Sequence, residues 1–364
     1  MDISELYSPN YAAARSRFRD LALAANARLE QYPINIEGRE HGSLTIDVAI
    51  IGCPDPSWSV VLSSGIHGVE GFFGSALQCA WLEQVAASGL TPENGNIVLI
   101  HAVNPYGFEV LRRTNENNVD LNRNFLMSDE DYHGAPDGYE TLNRFLNPPS
   151  PPSRFEPFRL KVLWKIWRMG LPALKNSIAG GQYEFPRGLF FGGHGREQST
   201  LIIQDGIERW IVGASDIVHI DFHSGLGRYG EYKLLLVESN NSSEIQWYRD
   251  TFGAEYVEPL ANAEGTAYTA SGIMGDWIAR KLRGRNYRFV GAEFGTYSII
   301  RGLGALRAEN RVHFFCSPND ARYKSAKAEL LEYSCPASNQ WREAVLEGGL
   351  GLIEQAIHHP IPTR

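Results

Sequence analysis

The sequence lacks the features of a membrane-spanning or disulfide-linked secreted protein. It contains four cysteines, Cys53, Cys79, Cys316 and Cys335, and none of them forms a Cys-x-x-Cys pair. This spacing argues against a cysteine zinc knot and favours a reducing compartment. No apolar run approaches the ~20 residues that span a bilayer, and the N-terminus has no positive region followed by an apolar core. We therefore expect a cytoplasmic protein without membrane insertion.

Excess positive charge is also missing. The formal net charge is −8, and no long basic run interrupts the sequence. Nucleic acid is therefore not an expected partner. Hydrophobic residues make up 43% and charged residues 21%, which is typical of a globular chain with an ample core. Single α/β enzymes often exceed the usual ~150 residues per domain, so we predict one catalytic domain over residues 1–364. The sequence does not indicate an oligomeric state.

Apolar and alternating runs predict an α/β protein. The run at 59–63 is apolar throughout and suits a buried strand, whereas the run at 44–51 alternates and suits a sheet edge. Strands that alternate with helices indicate a central sheet with helices on both faces. The further predicted strands are 96–102, 215–222, 232–237 and 288–293, and the predicted helices are 11–31, 72–87, 243–252, 272–282, 305–315 and 339–357.

A proline-rich segment at 147–153 interrupts this rhythm, because proline fixes φ and removes a backbone donor. We predict a helical and loop subdomain inserted at about 148–200. Its first part, 155–175, combines apolar side chains with five cations: Arg159, Lys161, Lys165, Arg168 and Lys175. A basic amphipathic helix can lie on a membrane or bind a partner. We interpret it as a helix packed on the domain with its cations in water.

His67 and Glu70 form the most informative motif. They stand three residues apart in the segment Ser-Gly-Ile-His-Gly-Val-Glu-Gly at 64–71, directly after the strand 59–63. Zinc accepts both imidazole nitrogen and carboxylate oxygen, and a catalytic site holds it with three protein ligands and one open position. Where a strand turns into a helix, two residues three apart can face one ion.

Further motifs give the pair its context. In chain order they are Asn104-Pro105-Tyr106-Gly107, Arg112-Arg113-Thr114, Asp120-Leu121-Asn122-Arg123-Asn124-Phe125, His219-Ile220-Asp221-Phe222-His223-Ser224-Gly225 and Gly291-Ala292-Glu293-Phe294-Gly295-Thr296. In this order they resemble the zinc carboxypeptidase superfamily, and most of all its bacterial branch of uncharacterised metallopeptidases, described as a domain of unknown function. The resemblance extends from about Leu44 to Phe315. It implies a carboxypeptidase-like fold with a mixed, mostly parallel twisted sheet, and one Zn²⁺ ion.

A third ligand is expected at the end of another strand. Side chains alternate along a strand, so residues 219, 221 and 223 share a face. His223 lies nearest the carboxyl end, where open α/β sheets place their ligands, and the resemblance selects the same residue. His219 is then a core or supporting histidine. Asp221 can support one of the ligands, although the sequence does not indicate which.

The resemblance also implies roles for five polar residues. Asp120 takes the position that orients the first histidine, and Asn122 and Arg123 hold the substrate carboxylate. Glu293 ends an apolar strand, where a carboxylate is costly to bury without a role, and it matches the general base. Of the adjacent Arg112 and Arg113, only one can point at the metal in an extended segment. The resemblance favours Arg112, as the group that stabilises the oxyanion.

Two features remain open. The family closes a tyrosine over bound peptide, and Tyr229, Tyr268 and Tyr297 are all candidates. The segment Gly-Leu-Phe-Phe-Gly-Gly at 188–193 is similar to a signature of the bacterial branch, and we interpret it as a loop that shapes the pocket.

These residues predict a zinc metallopeptidase that cleaves an amide bond beside a free carboxylate. The substrate is either a peptide C-terminus, which we favour, or an N-acyl amino acid, as in succinylglutamate desuccinylase and aspartoacylase. A non-catalytic carboxylate-binding protein is the alternative outside catalysis. A serine hydrolase is disfavoured, because there is no Gly-x-Ser-x-Gly motif and Ser224 follows a proposed ligand.

Overall fold

A computed structural model describes residues 3–37, 43–153, 155–236, 242–258 and 270–358. Its strands are β1 Arg28–Pro33, β2 Thr45–Gly52, β3 Trp58–Ser64, β4 Gly95–His101, β5 Asp216–Gly225, β6 Tyr232–Leu236, β7 Val257–Glu258 and β8 Asn286–Gly295. Its helices are α1 Ile3–Leu6, α2 Tyr11–Ala24, α3 Gly71–Ser88, α4 Pro105–Glu109, α5 Tyr139–Leu146, α6 Phe158–Met169, α7 Leu171–Ala179, α8 Gln198–Trp210, α9 Ser242–Phe252, α10 Met274–Lys281, α11 Ile299–Phe315, α12 Ala321–Ser334 and α13 Asn339–His358.

The strands form one mixed eight-stranded sheet in the order β1-β2-β4-β3-β5-β8-β6-β7. Strands β4, β3, β5 and β8 run parallel through the centre, whereas β1, β2 and β6 pair antiparallel with their inner neighbours. The central strands are buried along almost their whole length, as their continuous apolar runs require. The predicted α/β fold with a mixed, mostly parallel sheet is confirmed.

Strand register determines where the polar ends of the central strands meet. Ser64, the last residue of β3, pairs with Phe222 of β5, and His223 pairs with Glu293 of β8. In a parallel sheet the carboxyl ends lie at one edge, and ligands bind there. The segment after β3, which carries His67, therefore begins beside His223 and Glu293.

The prediction at the N-terminal end was wrong in two respects. The predicted helix 11–31 ends at Ala24, because Asn26 adopts a left-handed φ of 55°, and the next residues form β1. Strand β2 is therefore not an edge strand but lies between β1 and β4. Its alternation has another cause: the Asp47 carboxylate is fully buried and forms ion pairs of 2.9 and 2.5 Å with Arg15 and Arg19 of α2.

The region around the predicted insertion has its own apolar cluster. The predicted helix 155–175 is two helices, α6 and α7, because Gly170 between them has a φ of 80°. Residues of α5, α7 and the 188–193 loop pack together: Tyr139, Leu142, Leu146, Leu174, Ile178, Leu189 and Phe190. A subdomain inserted at 148–200 in a single domain remains a prediction. Helices α8 and α12 were not predicted. Among the described residues, no helix is both long and apolar enough to cross a membrane.

Candidate metal centre

The turn after β3 presents two polar side chains at the carboxyl edge of the sheet. His67 precedes a single 3-10 turn, Gly68–Glu70, which leads directly into α3. A Cβ at position 68 would lie 2.1 Å from the carbonyl carbon of Gly107, so the close approach of the two backbones requires glycine there. This approach holds the turn against the segment that carries the two consecutive arginines.

His67, Glu70 and His223 form a compact cluster, called here the His-Glu-His cluster. One potential ligand atom from each lies within 4.8 Å of the others, and all three residues are buried. Nδ1 of His67 is 3.0 Å from one carboxylate oxygen of Glu70, and Nδ1 of His223 is 3.4 Å from the other. Two imidazole nitrogens and a carboxylate that converge in this way can hold one divalent ion.

The outward nitrogens of both histidines face carboxylates. Nε2 of His223 lies 2.7 Å from Oδ2 of Asp221, and Nε2 of His67 lies 3.3 Å from Oδ1 of Asp120. A carboxylate at one ring nitrogen fixes the proton there and leaves the other nitrogen free to ligate. Asp221 therefore supports His223, a pairing that the sequence left open. The Oγ of Ser63 donates to Asp221 at 2.6 Å and holds it in place.

The pKa values of two members of the cluster, Glu70 and His223, are strongly shifted. Burial alone would raise the pKa of Glu70, but the electrostatic interaction with His67 and a hydrogen bond from His223 outweigh it and lower that pKa far below its usual range. Burial opposes protonation of His223, yet the Asp221 carboxylate outweighs burial and raises the His223 pKa well above its usual value. A bound cation would take over the role of the proton on His223.

Arg113 lies directly against this cluster. Its Nη2 is 2.6 Å from Nε2 of His67, its Nε donates to Asp120 at 2.8 Å, and its Nη1 is 3.6 Å from Glu70. Arginine can only donate, so the contact with His67 requires an unprotonated Nε2. A hydrogen bond from His67 to Asp120 requires the opposite tautomer. Arg113 and a metal at Nδ1 therefore favour different tautomers of His67.

The predicted position of Arg112 at the metal was wrong. Its side chain is 1% exposed and forms an ion pair of 2.9 Å with Glu309 of α11. Its Nη2 donates to Asn118 at 2.8 Å and to Asn310 at 3.2 Å. Consecutive side chains of this segment point in opposite directions, and the buried Glu309 attracts Arg112 to the side away from the cluster. Of the two, Arg113 is the arginine that reaches His67.

Glu293 faces the His-Glu-His cluster from the end of β8. It is 9% exposed, lines the same cavity, and accepts a hydrogen bond of 2.8 Å from the backbone N–H of Leu226. Burial, and next the negative charge of Glu70, raise the pKa of Glu293. A carboxylate whose pKa is raised is a stronger base towards a nearby water than an ordinary glutamate.

Asn122 and Arg123 also line this cavity, from the short turn Leu121–Arg123. The Nε and Nη2 of Arg123 donate to the carbonyl of Ala179 at 3.1 and 2.8 Å, which fixes the plane of the guanidinium. The Oδ1 of Asn122 accepts from the N–H of Met274 at 3.1 Å, which leaves its amide nitrogen for other contacts. Both residues are buried.

His219 and His101 lie in the core and not at the cluster. The ring of His219 contacts the hydroxyls of Ser63 and Tyr287, each at 2.8 Å, and burial lowers its pKa to about 4. Nε2 of His101 contacts the Oγ of Ser75 at 2.8 Å, and burial likewise lowers its pKa to about 4. Both are neutral core histidines near pH 7.

A tyrosine that was not among the candidates lies at this site. Tyr333 of α12 lines the cavity and donates to the carbonyl of Gly225 at 3.1 Å. Tyr297 instead donates to Glu332 at 2.5 Å, and Tyr229 is 41% exposed against the ring of Tyr297. Tyr268 lies outside the described residues. Helix α12 was not predicted, so no sequence signal pointed to Tyr333.

The cavity at the cluster, called here the central cavity, has a volume of about 200 Å³. Its polar end holds the cluster with Arg113, Asn122, Arg123 and Glu293. Its remaining wall is largely aliphatic and comes mainly from α6, α7 and α11, with Val162, Ile166, Leu174, Ile178, Leu303 and Leu306. Phe190 adds the predicted contribution of the 188–193 loop, and the Arg113 guanidinium lies 5.1 Å from its ring.

Several solved structures resemble this fold at low sequence identity. Carboxypeptidase A from Helicoverpa armigera shares 14% identity at a TM-score of 0.47, over 90% of this chain and 74% of that one. Bovine thrombin-activatable fibrinolysis inhibitor, solved with tick carboxypeptidase inhibitor, shares 12% identity at 0.47, over 95% and 97%. A metallo-carboxypeptidase from Pseudomonas aeruginosa, solved with (2-guanidinoethylmercapto)succinic acid, shares 15% identity at 0.42, over 92% and 68%.

Sequence comparison gives a family but no activity. No curated protein matches the chain. One family model matches residues 7–348, and its description is a protein of unknown function, DUF2817. The match spans both the His-x-x-Glu motif and the strand that ends in Glu293. The chain therefore belongs to the DUF2817 family.

Proposed function

We propose that this protein is a zinc-dependent hydrolase that cleaves an amide bond beside a free carboxylate. The observation that carries the proposal is the His-Glu-His cluster with Glu293 in the same cavity. A cluster of ligands alone is compatible with a structural metal. A separate buried carboxylate with a raised pKa, beside the cluster, is what hydrolysis requires.

The donor set suits zinc. His67 and His223 would ligate through Nδ1 and Glu70 through its carboxylate, because the other nitrogen of each histidine faces an aspartate. Three protein ligands would leave one coordination position for water or substrate, as catalytic zinc sites do. When bound, zinc polarises a carbonyl and lowers the pKa of water from its bulk value towards ~7.

Glu293 is the proposed general base. It would take a proton from the attacking water and deliver it to the leaving nitrogen. The backbone N–H of Leu226 fixes one carboxylate oxygen at 2.8 Å and leaves the other to face the cavity. Its raised pKa makes it a stronger base towards the attacking water than an ordinary glutamate.

Arg113 replaces Arg112 in the proposed role of stabilising the oxyanion. It is the arginine that both lines the central cavity and contacts the cluster. Asp120 holds the guanidinium through its Nε, so the remaining N–H groups stay aimed at the site. Arg123 and Asn122 remain the proposed partners of the substrate carboxylate, since a guanidinium of fixed plane suits two-point recognition.

The aliphatic wall of the central cavity indicates that the substrate carries an apolar group. A group that extends from the scissile bond past Val162, Ile166 and Leu303 meets no charged side chain from those positions. We expect this group to be apolar: the side chain of a peptide, or the acyl chain of an N-acyl amino acid. Because the wall suits either group, N-acyl amino acids should be tested alongside peptides.

The deciding experiment loads the full-length protein with zinc and measures hydrolysis of two substrate panels. One panel varies the C-terminal residue of a peptide, and the other varies the acyl chain of an N-acyl amino acid. Hydrolysis in either panel that is lost with chelator and restored by zinc supports the proposal. Stoichiometric zinc without hydrolysis in either panel would instead favour the non-catalytic carboxylate-binding protein.

A further inference from the structure

Helix α6 presents apolar side chains on two opposite sides. On its inner side, Val162 is buried and Ile166 half-buried, and both line the central cavity. On its outer side, a stripe at positions 160, 163, 164 and 167 is exposed: Leu160 69%, Leu163 53%, Trp164 50% and Trp167 81%. These spacings of three and four residues follow one face of a helix. The inner stripe packs on the domain, whereas each side chain of the outer stripe is at least half exposed.

Cations flank the exposed stripe. Arg159 lies along one margin of it, and Lys161 and Arg168 along the other, and all three are exposed. The guanidinium of Arg168 lies 5.4 Å from the ring of Trp164. The sequence contains no aspartate or glutamate from position 157 to position 183, in a chain whose net charge is −8. Positive charge is therefore concentrated where the apolar stripe is exposed.

Phe155, just before α6, is also exposed, at 86%. Large apolar side chains exposed close together mark an interaction site rather than ordinary surface scatter. The four side chains of the stripe, Phe155 and the three flanking cations are called here the outer face of α6.

We propose that the outer face of α6 docks onto an anionic lipid surface. A row of tryptophan and leucine between basic margins matches a helix that lies in the membrane interface, with its apolar side chains below the headgroups and its cations against them. Tryptophan in particular favours that boundary. A second copy of the chain would bring cations against cations across a twofold axis. Nucleic acid or an acidic peptide would pair with the cations but leave the apolar row in water.

Docking in this way would bring the central cavity close to the lipid. The inner side of the same helix forms part of the cavity wall, so only the thickness of one helix separates the two. The use of this closeness in catalysis rests on the proposed function, in which the substrate carries an apolar group. The docking itself is independent of any activity.

Vesicle flotation with the full-length protein tests the proposal. We expect binding to vesicles of phosphatidylcholine with about a third phosphatidylglycerol, weakening as salt screens the charges, and little binding to pure phosphatidylcholine. Replacing Arg159 and Arg168 by glutamine should weaken binding about 25-fold, at roughly fivefold for each cation. The matched control is Arg228→Gln, whose side chain is 86% exposed elsewhere on the surface.

A second pair of variants tests the apolar row. Trp164→Ser with Trp167→Ser should abolish flotation, whereas Leu23→Ser, at a position that is 59% exposed on α2, should leave it unchanged. The exposure of both tryptophans means that far-ultraviolet circular dichroism should not change. Absence of binding to anionic vesicles, or equal binding by the tryptophan variant, overturns the proposal. A dimer in sedimentation equilibrium that the tryptophan variant dissolves would assign the face to a second copy instead.

Discussion

Replacing each of the two adjacent arginines by methionine should give opposite phenotypes. Methionine keeps most of the aliphatic length and removes the charge and the donors. Arg113 contacts His67, Asp120 and Glu70 at the cluster. Arg112 is buried against Glu309 and does not line the central cavity. The pair therefore separates a role in turnover from a role in folding within one dipeptide.

The structure sets the expected magnitudes. Loss of Arg112 leaves Glu309 buried, with Lys327 as its remaining cation at 2.6 Å. Breaking a buried ion pair from one side costs about 3 kcal/mol, which lowers Tm by roughly 4 °C in a chain of this size. Loss of Arg113 removes a donor from the proposed oxyanion site, and such losses reduce kcat by about 100- to 1000-fold.

The assay combines kcat/KM on the best substrate of the panels, thermal unfolding, and zinc content. Arg113→Met should retain zinc and lose turnover even well below its melting temperature, although the loss of the ion pair with buried Asp120 also lowers its Tm. Arg112→Met should lose Tm but retain turnover well below its melting temperature. Loss of turnover in a fully folded, zinc-loaded Arg112→Met, with normal turnover in Arg113→Met, would refute the reasoning. Reduced zinc content in Arg113→Met would show that the contact with His67 supports the ligand itself.

Three further outcomes are expected. Glu293→Gln should keep stoichiometric zinc and lose most of its kcat, and loss of the metal would contradict its role as the base. Amidating the substrate carboxylate should strand the Arg123 guanidinium at a cost of ~2–5 kcal/mol, and Arg123→Ala should erase the difference between free and amidated substrates. Because Asp221 raises the pKa of His223, zinc must displace a proton, so chelator competition should show affinity rising about tenfold from about pH 6 to about pH 7. Asp221→Asn should flatten that slope.

The parts of the fold that were predicted depend on short-range patterns. Apolar runs such as 59–63 and 288–293 identify buried parallel strands, and polar residues just beyond them lie at the carboxyl edge whatever the order of the strands. This is why His67, Glu70 and His223 meet in the structure although about 150 residues separate the first pair from the third. The convergence of these strand ends can therefore be predicted without knowing the order of the strands in the sheet.

The parts that were missed depend on partners distant in the sequence. The residues next to Arg112 and Arg113 do not indicate which of the two side chains faces the cluster. Glu309 on α11, almost 200 residues later, determines it by forming an ion pair with Arg112. Asp47 similarly suggested a solvent-facing strand because its partners, Arg15 and Arg19, belong to a different element. In a sequence, a buried charged residue cannot be told from a surface one unless its counter-ion is known.

Helix α6 shows the same ambiguity in its apolar residues. Its apolar and basic side chains follow one another so closely that the helical periodicity predicts two apolar stripes, the inner and the outer one. Only the packing of the helix on the domain determines which stripe is buried. Arg159, Lys161 and Arg168 are exposed, and the stripe with Trp164 and Trp167 is exposed with them. Val162 and Ile166 turn inward because they complete the aliphatic wall of the central cavity. A helix under selection for packing alone would need only that inner stripe, so the outer one requires a separate explanation.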